Sequence, residues 1–564
     1  MKNKCSCILI FILLIASGFY LSWGQPAAAQ QGDNRLYIYG QVQDSHFQTI
    51  QNVNVSLYSS GAQETLATTQ TQADGRFSLP ITSPIDEGME VHFHRVHFSD
   101  QITPLSKDLI QTLRGGFSVT LPLLVLEREI TAAFWVSAAV FIAVLILIAT
   151  GFLHNTLAAF SGASFLLGIS YLGSPFIPGL EIFTFPDAIS YIDWNVIFLI
   201  MGMMMVIAVV ENTGIFHWLA FHAYRISGGR TWLLLPILML ITGISSAFLD
   251  NVTTMLLMTP ISVQIALALN ISPLVLLIPE VFASNVIGVS TLIGTPTNIL
   301  IGSFGNITFN DFLFNLTPGV LLAFVGLIIY SWFAYRDELR GEKDSSPVLL
   351  EKLEERGKIT NPLNLTKAGW IGAGMLALFI FGEQIQLLPS VTALIGAALL
   401  LVWIRPDIDE MIGAVDWTTL VFFMSLFIVV GSIQEVGLIS MIATLIGNLI
   451  GNNLILAMFV VTWFSAFLSM IVANIPFTAA MLPVIGYLTV IVPGADSKVL
   501  FYCLSIGAAL GGNGSLIGAS ANMITAGIAE RAGYKISYQY FLKKGLPALI
   551  ITVSISLIWL LIRF

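Results

Sequence analysis

Leu240–Pro260 reads LITGISSAFLDNVTTMLLMTP. It is apolar on both sides and carries Asp250, Asn251, Thr253 and Thr254 at its middle. A carboxylate at bilayer depth costs about 2.5–3.5 kcal/mol on insertion scales and is kept mainly where it faces water or a partner. Asp250 therefore reads as a functional group. The surrounding tract, Thr231–Leu269, is too long for one span of about 20 residues and too polar at its centre. It predicts a re-entrant helical hairpin with the polar residues at the tip.

The pattern recurs. Ser469–Pro483 reads SMIVANIPFTAAMLP, so Asn251 pairs with Asn474 and Pro260 with Pro483, at an offset of 223 (474 less 251). Asp193-Trp194 returns as Asp416-Trp417 at the same offset. LIGTPTNILIG at Leu292–Gly302 returns as LIGASANMITAG at Leu516–Gly527, where Gly294 matches Gly518 and Asn298 matches Asn522 at an offset of 224 (522 less 298). Four landmarks at nearly one offset indicate a duplicated membrane protein with two polar breaks in each half.

Composition agrees. The 564 residues are 56% hydrophobic and 10% charged, with mean hydropathy +0.85. That places the bulk of the chain among mainly α, polytopic membrane proteins in a lipid bilayer. A net charge of −9 with 24 Lys and Arg leaves no nucleic-acid footprint. Of the three cysteines, Cys5 and Cys7 lie in the N-terminal segment and Cys503 in a span, so no disulfide framework is expected once the first two are removed. No nucleophile–base signature, metal-ligand spacing or phosphate loop is present, which argues against an enzyme and against a bound cofactor.

Residues 1–29 read as a secretory signal: Lys2 and Lys4, an apolar run Cys5–Trp23, and Ala27-Ala28-Ala29 as the cleavage site. The alternative is an uncleaved anchor, and both place the next segment outside the cytoplasm. Residues 35–127 switch to short alternating runs, LYIYGQVQD, VNVSLYS, ADGRFSLPI, MEVHFHRVHF and FSVTLPLLVLE, the pattern of a small extracytoplasmic all-β sandwich. Alternation puts His92 and His94 on one strand face and Val91 and Phe93 on the other. With His97 they offer a metal-site reading, set against a plain solvent-facing strand surface.

The first transmembrane repeat is read at 132–335. Its crossings are Ala133–Thr150, Thr156–Gly173, Trp194–Val210, a span Ser272–Ser303 broken at Gly294-Thr295-Pro296, and Thr317–Tyr335. A charged connector, 336–368, has seven Lys/Arg and seven Asp/Glu. The second repeat, 369–564, has crossings Gly369–Leu388, Ser390–Ile404, Trp417–Ile433, a broken Val499–Ile528, and Leu546–Ile562, with a hairpin at Leu454–Val492. Five spans and one re-entrant hairpin per half make the repeats inverted. Lys/Arg bias agrees: Ser174–Asp193, Phe304–Leu316 and Gly437–Asn453 have none and read as outside. Arg225, Arg230, the connector, Arg531, Lys535, Lys543 and Lys544 read as inside, with Lys498 and Arg563 the exceptions. The protein is thus expected in the cell (plasma or inner) membrane.

Hairpin tips and helix breaks leave backbone groups unpaired, which hydrocarbon tolerates only around a cavity or ligand. Helix N-termini suit anions, and carbonyl, Asp and Asn oxygens suit a hard cation such as sodium. Tip one offers Asp250, Asn251, Thr253 and Thr254. Break one offers Gly294, Thr295, Thr297 and Asn298. Tip two offers Asn474, Pro476 and Thr478, and break two offers Gly518, Ser520 and Asn522 beside Gly511-Gly512-Asn513-Gly514. Sodium is assigned to Asp250, Asn251 and Asn298. The plain alternative is that these side chains only cap half-helices. Glu280 and Glu383 read as buried acids inside spans, each a proton relay or a neutral hydrogen-bonded acid. Glu211 and Glu435 lie near span ends and read as snorkelling, and Met201–Met205 as helix packing.

SAFLDNVTTMLLMTP, LIGTPTNILIG, ANIPFTAAMLP and GGNGSLIGASANMITAGIAE resemble the ion-transporter superfamily from about Trp194 to the C-terminus. The nearest likeness is to P-protein permeases, arsenite permeases and NhaD-type antiporters, with citrate and dicarboxylate transporters further off. The resemblance implies an inverted-repeat fold with scaffold and moving parts, a homodimer, and secondary transport or anion conductance at the matched positions. P-protein-type relatives often carry Asp-Asn at tip two and Gly-Asp-Pro-Pro-Asn at break one, where this chain has Ala473 and Thr295. Two carboxylates are absent, which favours an anionic substrate. Gly40, Val42, Asp44, Asn52, Val53, Asp74, Gly75 and Phe77 resemble the carboxypeptidase-regulatory-like module, which implies a non-catalytic binding or spacer role. The leading expectation is a secondary permease of an inorganic ion or small anion, coupled to Na+ or H+ by alternating access. A passive anion channel, a sodium/proton antiporter and a ligand-sensing receptor are the alternatives.

Overall fold

The computed structural model describes residues 36–44, 49–59, 65–81, 85–86, 88–177, 179–340 and 357–564. The signal-like segment and connector residues 341–356 lie outside the described residues. The chain divides into two units, Met1–Glu129 and Ile130–Phe564.

Among its described residues the first unit is all-β apart from one helix. Its strands are β1 (Leu36–Asp44), β2 (Asn54–Tyr58), β3 (Thr65–Gln70), β4 (Arg76–Ile81), β5 (Glu90–His94), β6 (Gln101–Pro104), β7 (Val119–Thr120) and β8 (Leu124–Leu126). They form two sheets, β4-β1-β7 with β8 also on β1, and β3-β2-β5-β6. The alternation works as read: Ile38, Val42, Leu57, Leu79, Val91 and Phe93 are buried in one core. The sequence runs did not include β3 and β6. Both are sheet edges with little burial, so TLATTQ and QITP need no apolar alternation. A short helix, α1 (Lys107–Arg114), is capped by Ser106. His92 and His94 lie on the outer face of β5, against Glu90 (3.4 Å) and Asp100 (2.6 Å). His97 is buried beyond the strand, and no metal-holding group of three His, Cys, Asp or Glu occurs among the described residues.

The second unit is helical. Its first half contains α2 (Ala132–Thr150), α3 (Asn155–Gly173), α4 (Phe185–Ser190), α5 (Trp194–Glu211), α6 (Ile215–Ser227), α7 (Thr231–Phe248), α8 (Asn251–Ala268), α9 (Leu274–Gly288), α10 (Pro296–Phe304), α11 (Phe309–Asn315) and α12 (Thr317–Ala334). The second half contains α13 (Pro362–Phe381), α14 (Pro389–Ile404), α15 (Ile408–Gly413), α16 (Trp417–Glu435), α17 (Leu438–Ile450), α18 (Leu454–Ile471), α19 (Asn474–Ile491), α20 (Val499–Gly511), α21 (Ser520–Arg531) and α22 (Tyr538–Arg563). Among the described residues, 11 helical segments are long and apolar enough to cross a membrane, the four hairpin arms among them.

Three boundaries differ from the sequence reading. The helix expected at Gly369 begins at Pro362, because Asn361 caps it through the amide of Asn364 (3.1 Å). It ends at Phe381, and the following 3-10 turn Gly382–Ile385 leaves Glu383 exposed, accepting from Asn310 (3.1 Å). Glu383 thus lies in the last turn of the candidate span Pro362–Ile385, exposed rather than buried. The last helix begins at Tyr538 rather than Leu546, capped by Ser537. Finally, α6 and α17 occupy stretches read as loops. Each is a 13-residue amphipathic helix entered through a glycine at positive φ, Gly214 (79°) and Gly437 (86°).

Packing mixes the halves. Within each half the first hairpin arm lies on the broken helix, α7 on α9 and α18 on α20. Between halves, α5 lies on α14, α3 on α16 and α12 on α22. Each second hairpin arm packs on the helix after the other half's break, α8 on α21 and α19 on α10. This exchange brings both tips and both breaks into one region.

Candidate functional site

Only Leu249 and Asp250 join α7 to α8. The four first N–H groups of a helix have no internal partner. Asp250 meets two of them, accepting from Val252 (2.9 Å) and Thr253 (3.0 Å), while its other oxygen takes the Thr253 hydroxyl at 2.5 Å. It is partly exposed, not sealed. At the second tip Ala473 stands in its place and provides no side-chain cap. Asn474 there is buried; its carbonyl accepts from the Thr478 hydroxyl (2.7 Å), and Pro476 is the third residue of α19.

The breaks are stitched to the tips by matching bonds. In the first half the Thr291 hydroxyl donates to the Ala247 carbonyl (2.5 Å) and accepts from Gly294 N–H (3.1 Å). The Asn298 amide donates to the carbonyls of Val289 (3.0 Å) and Thr291 (2.7 Å). In the second half the Ser515 hydroxyl donates to Met470 and accepts from Gly518 (3.1 Å), and the Asn522 amide donates to Gly512 (2.7 Å) and Ser515 (2.8 Å). These bonds satisfy carbonyls that the interrupted helices leave open. The approach is close: a Cβ on Gly294 would stand 2.4 Å from the Gly288 carbonyl oxygen and 2.8 Å from that of Ser246.

The halves then join through Asn285, which the sequence reading passed over. The Asn251 amide donates to Asn285 (2.9 Å), and the Asn285 amide donates to Asn513 (2.9 Å) and Asn522 (3.2 Å). All four are buried. Asn285, in the mostly apolar run VFASNVIG and with Ala509 at the matching place in the second half, gave no repeat signal. Asn298 belongs to a different cluster. Its oxygen accepts from the Ser505 hydroxyl (2.6 Å), so its amide is engaged on both sides. The residues assigned to sodium therefore divide, Asp250 and Asn251 at the tip, Asn298 in the break. Thr295 caps α10 through Asn298 N–H (3.3 Å) and shares a hydrogen bond with Thr297 (3.0 Å). Its counterpart Ala519 gives α21 no side-chain cap, and Ser520 beside it is partly exposed. Two buried polar atoms nearby have no hydrogen-bond partner among the described residues, the Thr254 hydroxyl and the Asn513 amide nitrogen.

A cavity of about 490 Å³ lies alongside α10, with Asn195, Ser303, Asn306, Thr308, Glu383 and Ser390 in its wall. Residues of α5, α13 and α14 complete the wall. Glu435, read as snorkelling, accepts a hydrogen bond from Tyr191.

Comparison with known proteins gives the same outline. A family profile described as citrate transporter matches residues 143–495. An uncharacterised transporter of Mycobacterium tuberculosis is 35% identical over 434 residues, covering 76% of this chain and 98% of its own. One from a Synechocystis species is 32% identical over 451 residues, covering 75% and 97%. The human P protein is 30% identical over 514 residues, covering 77% of this chain and 60% of its own.

Proposed function

The chain belongs to the citrate transporter family and is a multi-pass membrane transporter; from that premise we propose that it carries a small carboxylate anion by alternating access, coupled to sodium or protons. The observation that carries this reading is the unequal capping of the four helix starts at the tips and breaks. In the first half Asp250 and Thr295 fill their own helix starts. In the second half Ala473 and Ala519 leave α19 and α21 open. Open helix N-termini present N–H groups and partial positive charge, the natural partner of a carboxylate. The anion thus sits at tip two and break two, against Asn474, Thr478, Ser520 and the free face of Asn513. The coupling cation belongs to the Asp250 side, with Asn251, Thr253 and Thr254 around it. Alternating access uses the exchange of packing partners, α8 on α21 and α19 on α10, as the moving part. The β unit is placed on the extracytoplasmic side as an accessory.

The test is reconstitution of the full chain in liposomes with radiolabelled citrate. An inward sodium or proton gradient is expected to drive uptake above equilibrium, and vesicles preloaded with unlabelled citrate should show counterflow. Conductance without counterflow would make the protein a channel. Asp250→Asn should keep counterflow and lose at least tenfold in sodium-driven accumulation, if sodium is the coupling ion; an unaltered response to both gradients would remove Asp250 from the site.

A further inference from the structure

Glu280 lies at the middle of α9 and is fully buried. One carboxyl oxygen accepts from the hydroxyls of Thr242 on α7 (3.2 Å) and Ser262 on α8 (2.8 Å). The other oxygen has no hydrogen-bond partner among the described residues. Among the described residues no cation balances the group. The hairpin arms α7 and α8 contain no ionisable side chain. The other elements packed on α9 bring Tyr330 (α12), Tyr502 and Cys503 (α20), Glu530 and Arg531 (α21), and Tyr538, Tyr540, Lys543, Lys544 and Arg563 (α22). None of these makes a hydrogen bond or ion pair with Glu280 among those the structure shows. An isolated buried charge is far more costly than a neutral acid in the same place. An acid with one oxygen held and the other bare fits a group that exchanges a proton when that side is wetted.

A ladder of polar rungs leads from it to the tip. Along the contact of α7 with α9, the first rung is Glu280 with Thr242. Four residues further along each helix Ser284 donates to Ser246 (3.0 Å), and Ser246 to the Ser284 carbonyl (2.9 Å). The next rung is Asn285 with Asn251. The second half keeps only the middle rung, Ser469 to the Ala508 carbonyl (2.5 Å). By that register Leu504 replaces Glu280, Ser465 replaces Thr242 and Ile485 replaces Ser262. A purely architectural acid would not need this ladder, and the half without the acid packs the same helices.

We propose that Glu280 is the proton-carrying group of the transport cycle, taking up one proton per cycle on its bare oxygen and releasing it when the hairpin and the broken helix move apart. The step is simple acid dissociation, carboxylate plus proton to carboxylic acid, with no other reactant. This deepens the reading of a coupled carrier and rests on it for the transport readout only.

The full chain in liposomes is tested in two ways. With labelled citrate, Glu280→Gln is expected to retain counterflow within about twofold of the unmodified protein and to lose accumulation driven by a pH gradient. Retained pH-driven accumulation would overturn the proposal. Ser262→Ala removes one donor to the carboxylate and should move the pH midpoint of transport up by about half to one unit, the equivalent of one hydrogen bond; an unmoved midpoint with normal counterflow would leave Glu280 a structural group. Infrared pH-difference spectra of the unmodified protein and of Ser262→Ala, read in the carboxylic C=O band, need no substrate. A protonated carboxyl whose titration shifts between the two supports the proposal even if citrate is not moved, and identical titrations in the two proteins overturn it. Failure of citrate transport in the unmodified protein thus counts against the carboxylate reading alone.

Discussion

Helices α4 to α8 each begin 223 residues before α15 to α19 (474 less 251), so the two halves share one scaffold. Their polar residues do not match. The first half has Asp250 and Thr295 as caps and Glu280 inside. The second has Ala473, Ala519 and Leu504 at those places. What is common to both is the stitching of break to tip, through Thr291 and Asn298 or Ser515 and Asn522. Duplication preserved the bonds that satisfy backbone and released the rest. A symmetric frame can thus hold an asymmetric site, with an acidic side and an open, electropositive side.

The sharpest test of that comparison is steric. Gly294→Ala forces a Cβ into two carbonyl oxygens, whereas the nearest atoms to a Cβ on Gly518 stand at 3.0 Å. Overpacking of this kind costs about 1–3 kcal/mol. Thermal unfolding in detergent should show a loss near the top of that range for Gly294→Ala and near the bottom for Gly518→Ala. Equal losses would mean that the two breaks are equally tight. Next is Asn285→Ala, which takes a partner from Asn251, Asn513 and Asn522 at once. A loss of about 2 kcal/mol is expected from the buried groups left unpaired. Ala473→Asp would make the second tip resemble the first. It should raise stability by about 0.5–1 kcal/mol as a new cap while weakening citrate uptake at least tenfold, about 1.4 kcal/mol, by opposing the anion. Gain of stability without loss of uptake would move the anion elsewhere. The smallest effect is expected from Ser465→Ala. Its hydroxyl has no partner, unlike that of Thr242, so the change should stay within about 0.5 kcal/mol.

The sequence showed the hairpins and breaks because Asp, Asn, Gly and Pro interrupt otherwise apolar runs at a fixed offset, and no core demands that pattern. Asp250 and Asn298 were legible as polar residues, but their bonds were not: one caps a helix and the other binds its own loop. Asn285 was illegible because its partners Asn513 and Asn522 come from the other half, and its own counterpart there is Ala509. The helices α6 and α17 were missed since their glycine starts and mixed polarity resemble loops at the scale of a span. Glu383 was read as buried because an apolar window does not show that the α-helix ends at Phe381 and that the following turn leaves the acid exposed. In the β unit, the central strands announced themselves through alternation, and the edge strands β3 and β6 did not have to.

The Asn285–Asn513 bond spans 228 residues of sequence. A ribosome adding roughly 5–20 residues per second supplies Asn513 roughly ten to fifty seconds after Asn285. For that interval the Asn251–Asn285 pair is made entirely from the first half, and the outer face of the Asn285 amide awaits a strand of chain not yet synthesised. The tip's own caps and the Thr291 bond can form within the first half, whereas the Asn285 bonds to Asn513 and Asn522 close only after the second half arrives. The bond that unites the two halves at their centre is thus one that neither half can make alone.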